Sequence, residues 1–299
     1  MTAPLHPMSF PYLGETKELN DSTRKDARGS FVTLPDGVTH YELSGPVDGK
    51  PVVLVHGFSV PFFIFDITFE FLVKSGYRVL RYDLFGRGFS DRPHAAYNIQ
   101  LFVRQLKGLL DALNFKDIAL LGLSMGGPIT ASFIRQYPGY VSKHVLIDPA
   151  GVQQTVLGHG LAALKLSIFG ELAFGLFGSD VMVKSLASDL FDPKAVEHFQ
   201  NQYKIQMQFK GFKRALLSTM RSNMLDSFYE TFADVGRLQK PTLLFWGMDD
   251  TTTPFSNSEI LLTALPDAEF HAIENCGHIP HFEKPEIVNP FLLEFLSRV

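Results

Sequence analysis

With 299 residues, 45% of them hydrophobic and 19% charged, the chain fits one large globular domain or one domain carrying an insertion, and it excludes intrinsic disorder. Lys and Arg number 27 against 31 Asp and Glu, so the net charge is -4 and no basic excess exists to neutralise a phosphate backbone; nucleic acid is excluded as a partner. The lone cysteine, Cys276, cannot form an internal disulfide and CxxC pairs are absent, which fits a reducing compartment.

Residues 1–28 are polar and broken by Pro4, Pro7 and Pro11, an irregular extension lacking the apolar core of a secretory signal. The expected location is therefore cytoplasmic. Phe31 to Leu34 and Val38 to Glu42 alternate around the turn triplet Pro35-Asp36-Gly37 and predict an antiparallel hairpin. Val52 to Val55, ended by His56-Gly57, predicts a strand buried on both faces. Arg78 to Tyr82, Ile118 to Leu121, Val145 to Ile147, Thr242 to Phe245 and Ala268 to Ile273 are similar runs. The clearest helix starts at the N-cap Asn98, with Ile99, Phe102, Val103, Leu106, Leu110 and Leu113 on one face. Strands alternating with such helices predict a mostly parallel sheet covered on both sides, with ligands beyond the carboxyl ends of its strands.

The alternation stops between Val152 and Arg237, which reads as a helical insertion. It holds Leu161 to Phe177, Val181 to Leu190 and a stretch with Phe199, Tyr203, Met207, Phe209 and Phe212. Lys165 and Glu171 interrupt the first of these, so it falls short of a membrane span. Leu161, Leu164, Ile168, Leu172 and Leu176 recur at three or four residues, a stripe expected to pack the insertion onto the core. The poorly charged opposite side leaves apolar surface for transient contact with lipid or a partner chain. The 28 phenylalanines fit either a wide core or the wall of an apolar pocket.

Chemistry concentrates at Gly122-Leu123-Ser124-Met125-Gly126, between a predicted strand and the helical Gly127 to Tyr137. This is the G-x-S-x-G pattern of a nucleophile elbow, whose null alternative is a Gly-rich strand-to-helix turn. A serine hydroxyl needs a base, and the base needs an orienting group. Asp250, within Trp246-Gly247-Met248-Asp249-Asp250, and His278, within Asn275-Cys276-Gly277-His278, follow in the order serine, acid, histidine.

On these segments, together with His56-Gly57-Phe58, Asp83 to Ser90, Trp246 to Pro254 and Gly277 to Pro285, the chain resembles the α/β-hydrolase superfamily, close to its esterase and monoacylglycerol-lipase-like branches. The resemblance covers nearly everything after Phe31. It implies an α/β fold with an eight-stranded sheet, and a helical cap at 152–237 dividing a core of 1–151 and 238–299. It also implies Ser124 as nucleophile, His278 as base and Asp250 as acid, with the backbone N–H groups of Phe58 and Met125 forming the oxyanion hole. The family spacing WGxxD before Pro254 selects Asp250 over Asp249, and Asp148, which ends another strand, is the rival acid.

Other residues carry plainer readings. Gly86-Arg87-Gly88 lacks the rest of a dinucleotide fingerprint and reads as a tight turn. Cys276 reads as packing, His281 as an ordinary polar residue near a helix start, and His56 as shaping the loop of Phe58. No metal-ligand spacing occurs, and neither metal nor cofactor is expected. Aspartate is the elbow nucleophile in haloalkane dehalogenases and epoxide hydrolases of this fold, so Ser124 disfavours both. The expected activity is hydrolysis of apolar carboxylic esters, with short to medium acyl chains or a monoacylglycerol-like form, through an acyl-serine. The runner-up is a C–C bond hydrolase of the meta-cleavage type with the same triad. A ligand-sensing protein on this fold is the alternative from another class. Oligomeric state is not legible.

Overall fold

The apolar runs lie side by side in one eight-stranded sheet of order β1-β2-β4-β3-β5-β6-β7-β8. The computed structural model describes residues 12–153, 172, 174–176, 178, 182–184, 196–224 and 226–298. The strands are β1 (Ser30–Leu34), β2 (Gly37–Ser44), β3 (Pro51–Val55), β4 (Arg78–Tyr82), β5 (Ile118–Leu123), β6 (Val141–Ile147), β7 (Thr242–Gly247) and β8 (Glu269–Ile273). β2 runs antiparallel to β1 and β4, and every other pairing is parallel. Parallel strands joined by crossover helices are covered on both faces, which is why β5 is buried at each of its residues instead of alternating.

The described helices are α1 (Asp21–Arg24), α2 (Asp66–Lys74), α3 (Ile99–Ala112), α4 (Gly126–Gln136), α5 (Val196–Met207), α6 (Phe212–Arg221), α7 (Tyr229–Arg237), α8 (Asn257–Ala264), α9 (Pro280–Glu283) and α10 (Pro285–Ser297). Successive side chains on a strand point to opposite layers, and those two apart share one. Val53, Val55 and Leu120 join a core with α3, α4, α7 and α8, whereas Val52, Leu54 and Leu121 join one with α2 and α10. Asn98 caps α3 as its sequence predicts, its Oδ1 accepting from the Leu101 N–H at 3.1 Å. Behind that cap Leu101, Phe102, Val103, Leu106, Leu109 and Leu110 are buried, each contributing about 1.5–3 kcal/mol by area.

β6 begins four residues earlier than its apolar run suggests. Lys143 and His144 are tolerated there because they have partners: Lys143 Nζ donates to the carbonyls of Phe295 (2.9 Å) and Leu296 (3.1 Å) at the end of α10, and His144 Nε2 meets Thr130 Oγ1 at 2.9 Å.

Between β6 and β7 the described residues form helices and one isolated bridge, Lys17 to Phe209. Leu161, Leu164 and Ile168 of the expected packing stripe lie outside the described residues. Its other two members, Leu172 and Leu176, are 43% and 47% exposed, while Phe174 between them is 5% exposed. At these described positions the core-facing residue is therefore Phe174 and not the two stripe leucines, since residues four apart share a helix face and those two apart do not.

The N-terminal extension is ordered where it meets this insertion. Asn20 caps α1 through the N–H groups of Ser22 (3.0 Å) and Thr23 (3.1 Å). The Glu15 carboxylate accepts from the N–H groups of Gly211 (2.7 Å) and Lys213 (2.6 Å) at the start of α6, where the helix dipole favours an anion. Arg24 reaches back to Asp91 at 2.6 Å. These contacts strap α6 to the sheet. No helix among the described residues is long and apolar enough to cross a membrane.

Candidate active site

The turn from β5 into α4 forces Ser124 to φ +52°, a left-handed conformation that costs a non-glycine residue on the order of 1–3 kcal/mol. Three hydrogen bonds hold it there: the Ser124 N–H donates to the Ile147 carbonyl (3.0 Å), and its own carbonyl accepts from the N–H groups of Gly127 (2.8 Å) and Ala150 (3.0 Å). The flanking glycines are required by space. A Cβ on Gly122 would stand 2.5 Å from the Gly126 carbonyl oxygen, and one on Gly126 would stand 2.3 Å from that of Val55. Gly57 packs against the serine itself, its absent Cβ only 3.0 Å from Ser124 Cβ.

His278 follows β8 and Asp250 follows β7, so with Ser124 after β5 the three stand at the carboxyl edge of the sheet. The Asp250 Oδ2 atom accepts from His278 Nδ1 at 2.7 Å. Its Oδ1 atom accepts from the N–H groups of Thr252 (2.7 Å) and Thr253 (2.9 Å), and Thr253 Oγ1 donates to Oδ2 at 2.6 Å. Burial pushes the Asp250 carboxyl up, but the charge and hydrogen bond of His278, together with the Thr253 donors, outweigh it and hold the group below the ordinary carboxylate range. An ionised Asp250 fixes the proton of His278 on Nδ1, which leaves the Nε2 lone pair able to accept one.

The three sequence candidates for the acid separate here. Asp249 is exposed, and its Oδ2 atom accepts from the Cys276 N–H at 3.2 Å. Asp148 is fully buried; Oδ1 accepts from the Gly247 N–H at 2.9 Å, and among the described residues no N–H or hydroxyl donates to Oδ2, which has the Asp250 carboxyl as its neighbour. Burial first, and then the Asp250 charge, push its carboxyl well above the ordinary range. Of the three, Asp250 is the one hydrogen-bonded to His278. Asp148, Asp250 and His278 bring potential metal-ligand atoms within 4.8 Å of one another. Both Asp250 oxygens and His278 Nδ1 are already spent on hydrogen bonds, so the set does not read as an ion cage.

His56 shapes the loop after β3 as anticipated. Its Nε2 accepts from the Leu84 N–H (2.9 Å), so its Nδ1 carries the proton and donates to the Gly57 carbonyl (2.9 Å). Burial pushes its pKa down to about 4. That carbonyl belongs to the same peptide unit as the Phe58 N–H, so His56 orients the unit that ends in this donor. The Met125 N–H lies at the start of α4, where the helix dipole favours negative charge. Among the described residues no backbone carbonyl accepts from either N–H.

The Gly86-Arg87-Gly88 turn is as tight as its sequence suggests: a Cβ on Gly88, at φ +49°, would lie 1.9 Å from Asp83 Oδ2. Cys276 is buried, and its thiol pKa is pushed up by burial and by Glu283, which rules out an activated nucleophile. His281 departs from its reading. It is fully buried, its Nε2 donates to the Ile64 carbonyl at 3.2 Å, its ring packs 5.0 Å from that of Phe65, and burial lowers its pKa to about 3. It anchors the histidine loop to the loop after β3. Thr253, two hydrogen bonds deep in Asp250, escaped notice although it directly precedes Pro254. Aromatic rings join the insertion to the segments after β3 and β8: Phe199 of α5 meets Phe282 edge-on at 4.5 Å and Phe63 at 5.7 Å.

A family model described as alpha/beta hydrolase fold matches residues 50–285. The chain is 29% identical over 293 residues to a 2-hydroxy-6-oxononadienedioate/2-hydroxy-6-oxononatrienedioate hydrolase of Comamonas testosteroni, covering 94% of this chain and 99% of that one. It is 26% identical over 295 residues to a 2-hydroxy-6-oxo-6-phenylhexa-2,4-dienoate hydrolase of the same organism, covering 95% and 99%. Among solved structures, the meta-cleavage product hydrolase from Pseudomonas fluorescens IP01 superposes with a TM-score of 0.76 at 24% identity, over 90% of this chain and 97% of that one.

Proposed function

The chain belongs to the α/β-hydrolase fold family, and from that premise we propose that it is a serine hydrolase attacking a ketone carbon, with a 2-hydroxy-6-oxo-dienoate as its substrate class. The observation that carries the serine chemistry is the 2.7 Å bond between His278 and Asp250 at the sheet edge that also presents the strained Ser124. The substrate class is supported by the printed activities of relatives similar over nearly the whole chain.

In this reading Ser124 Oγ attacks the 6-oxo carbon while His278 Nε2 takes its proton, and Asp250 stabilises the imidazolium that forms. The oxyanion develops toward the N–H groups of Phe58 and Met125. Cleavage of the adjacent C–C bond sends its electron pair into the conjugated 2-oxo group of the keto tautomer, and the leaving fragment takes the proton held on His278 Nε2, which restores the neutral imidazole. Water, deprotonated by His278, then releases the acid from Ser124.

Ester hydrolysis is the second reading, favoured by the apolar Phe63–Phe199–Phe282 cluster between the insertion and the core, which suits an apolar acyl or alcohol part. It uses the same steps with an alkoxide as leaving group. Parallel assays separate the two: loss of the conjugated absorbance of a 6-phenyl dienoate against release of p-nitrophenol from acyl esters. A kcat/KM higher on the dienoate is the expected result. Faster ester turnover would install the second reading, and no turnover in either arm would leave a ligand-binding role for this fold.

A further inference from the structure

The carbonyls of Phe58 and Ser59, the two residues after His56-Gly57, are held by side chains from distant segments. Arg87 Nε donates to the Phe58 carbonyl at 2.7 Å, and Gln206 Nε2 donates to the Ser59 carbonyl at 2.9 Å. Gln206 lies in the last turn of α5, inside the insertion, and is 3% exposed; its Oε1 accepts from the Gly88 N–H at 2.9 Å. Arg87 is fully buried and gives its remaining hydrogen bonds to the Phe85 carbonyl (3.1 Å) and to Thr219 Oγ1 (3.0 Å). Thr219 belongs to α6, so two helices of the insertion, α5 and α6, reach this loop, one directly and one through Arg87.

We propose that Gln206, acting with the Arg87–Thr219 pair, is a positioning residue for the oxyanion-binding N–H of Phe58, so that the hole is set only when the insertion helices are seated on the core. The inference rests on the serine-hydrolase reading above. His56 fixes the peptide unit before Phe58, Arg87 the unit after it and Gln206 the next one. A donor for a developing oxyanion is effective only when held in place before the reaction, because its value lies in not having to reorient. The plainer role would be to satisfy two buried carbonyls and fasten the insertion, which changes stability and nothing else.

Capture of Ser124 by a fluorophosphonate tells the two apart, since the phosphoryl oxygen occupies the oxyanion position. The test uses the full chain and follows the rate of mass gain at Ser124, with kcat and KM measured on whichever substrate the wild type cleaves. Gln206→Met removes both hydrogen bonds at similar volume, Thr219→Val removes the Arg87 acceptor without changing shape, and Lys204→Ala on the exposed side of α5 is the control. Gln206→Met is expected to slow capture and lower kcat about tenfold or more while KM stays within about twofold. Thr219→Val is expected to act in the same direction, and Lys204→Ala to match the wild type. Wild-type capture rates in a folded Gln206→Met, or a loss confined to KM, would overturn the proposal; should that variant not fold, the same criteria apply to Thr219→Val. Absence of capture in the wild type would instead remove the serine-hydrolase reading, and this inference with it.

Discussion

The carboxyl groups of Asp148 and Asp250, one following β6 and the other following β7, approach within 4.8 Å of each other, both buried, and Asp250 is the one bonded to His278. Two anions this close do not both ionise cheaply. The hydrogen bonds decide which one does: among the described residues Asp250 accepts four, while Asp148 accepts one, from Gly247. Asp250 is therefore the anion and Asp148 the neutral acid.

Asp250→Asn is expected to reduce kcat by orders of magnitude, about 10⁴-fold where the acid sets the histidine tautomer. Asp148→Asn, an amide in place of a protonated carboxyl, should retain most activity. Its stability effect depends on pH. Above the ordinary value of 3.8 the unfolded chain ionises Asp148 while the folded chain does not, so the wild type loses stability as pH rises through that window. Asp148→Asn escapes this loss and should gain on the wild type as pH rises above about 4. Kinetics and denaturant melts of both variants check it; a crippled Asp148→Asn beside an active Asp250→Asn would reverse the roles.

Ser124→Ala and His278→Ala are each expected to lower kcat by about 10⁴-fold or more, and the double variant should be little worse than either, because the two act as one unit. Additive losses in the cycle would show that they do not act together.

Strain at the elbow gives a stability prediction independent of substrate. Ser124→Gly should melt above Ser124→Ala, since only glycine accepts φ +52° without a Cβ penalty of about 1–2 kcal/mol. Gly126→Ala should lose about 3 kcal/mol or more, because its Cβ would press on the Val55 carbonyl oxygen at 2.3 Å and neither backbone can yield. Thermal unfolding of the three variants reads both effects.

Three buried imidazoles set the acid limit of the fold. Burial lowers His56 from 6.5 to about 4, and lowers His144 and His281 from 6.5 to about 3. Between pH 6.5 and those values the unfolded chain binds protons that the folded chain refuses, so stability falls as pH falls. Each group adds a slope of at most about 1.4 kcal/mol per pH unit. His281→Gln should flatten the curve of stability against pH by that amount across the window; an unchanged slope would mean that His281 takes up its proton as readily in the folded chain as in the unfolded one.

The sequence by itself determined the sheet, because a strand buried on both faces must be written as a continuous apolar run, and Val52 to Val55 or Ile118 to Leu121 could be little else. It also determined the elbow, where Gly122 and Gly126 record a backbone approach that no other residue permits. Elements held by distant partners were less legible. Lys143 and His144 hid the first half of β6, since a polar residue enters a strand only when its partner, here the end of α10 or Thr130, arrives from elsewhere in the chain. Leu172 and Leu176 misled in the opposite way: helical periodicity finds an apolar face without saying which surface covers it. Only the tertiary structure shows which of Asp148, Asp249 and Asp250 meets His278, because the contact joins residues from separate loops at the sheet edge. Only it brought Gln206 to the loop of Phe58, 147 residues away from the Ser59 carbonyl it holds, because a hydrogen bond of that span leaves no local mark on composition or spacing.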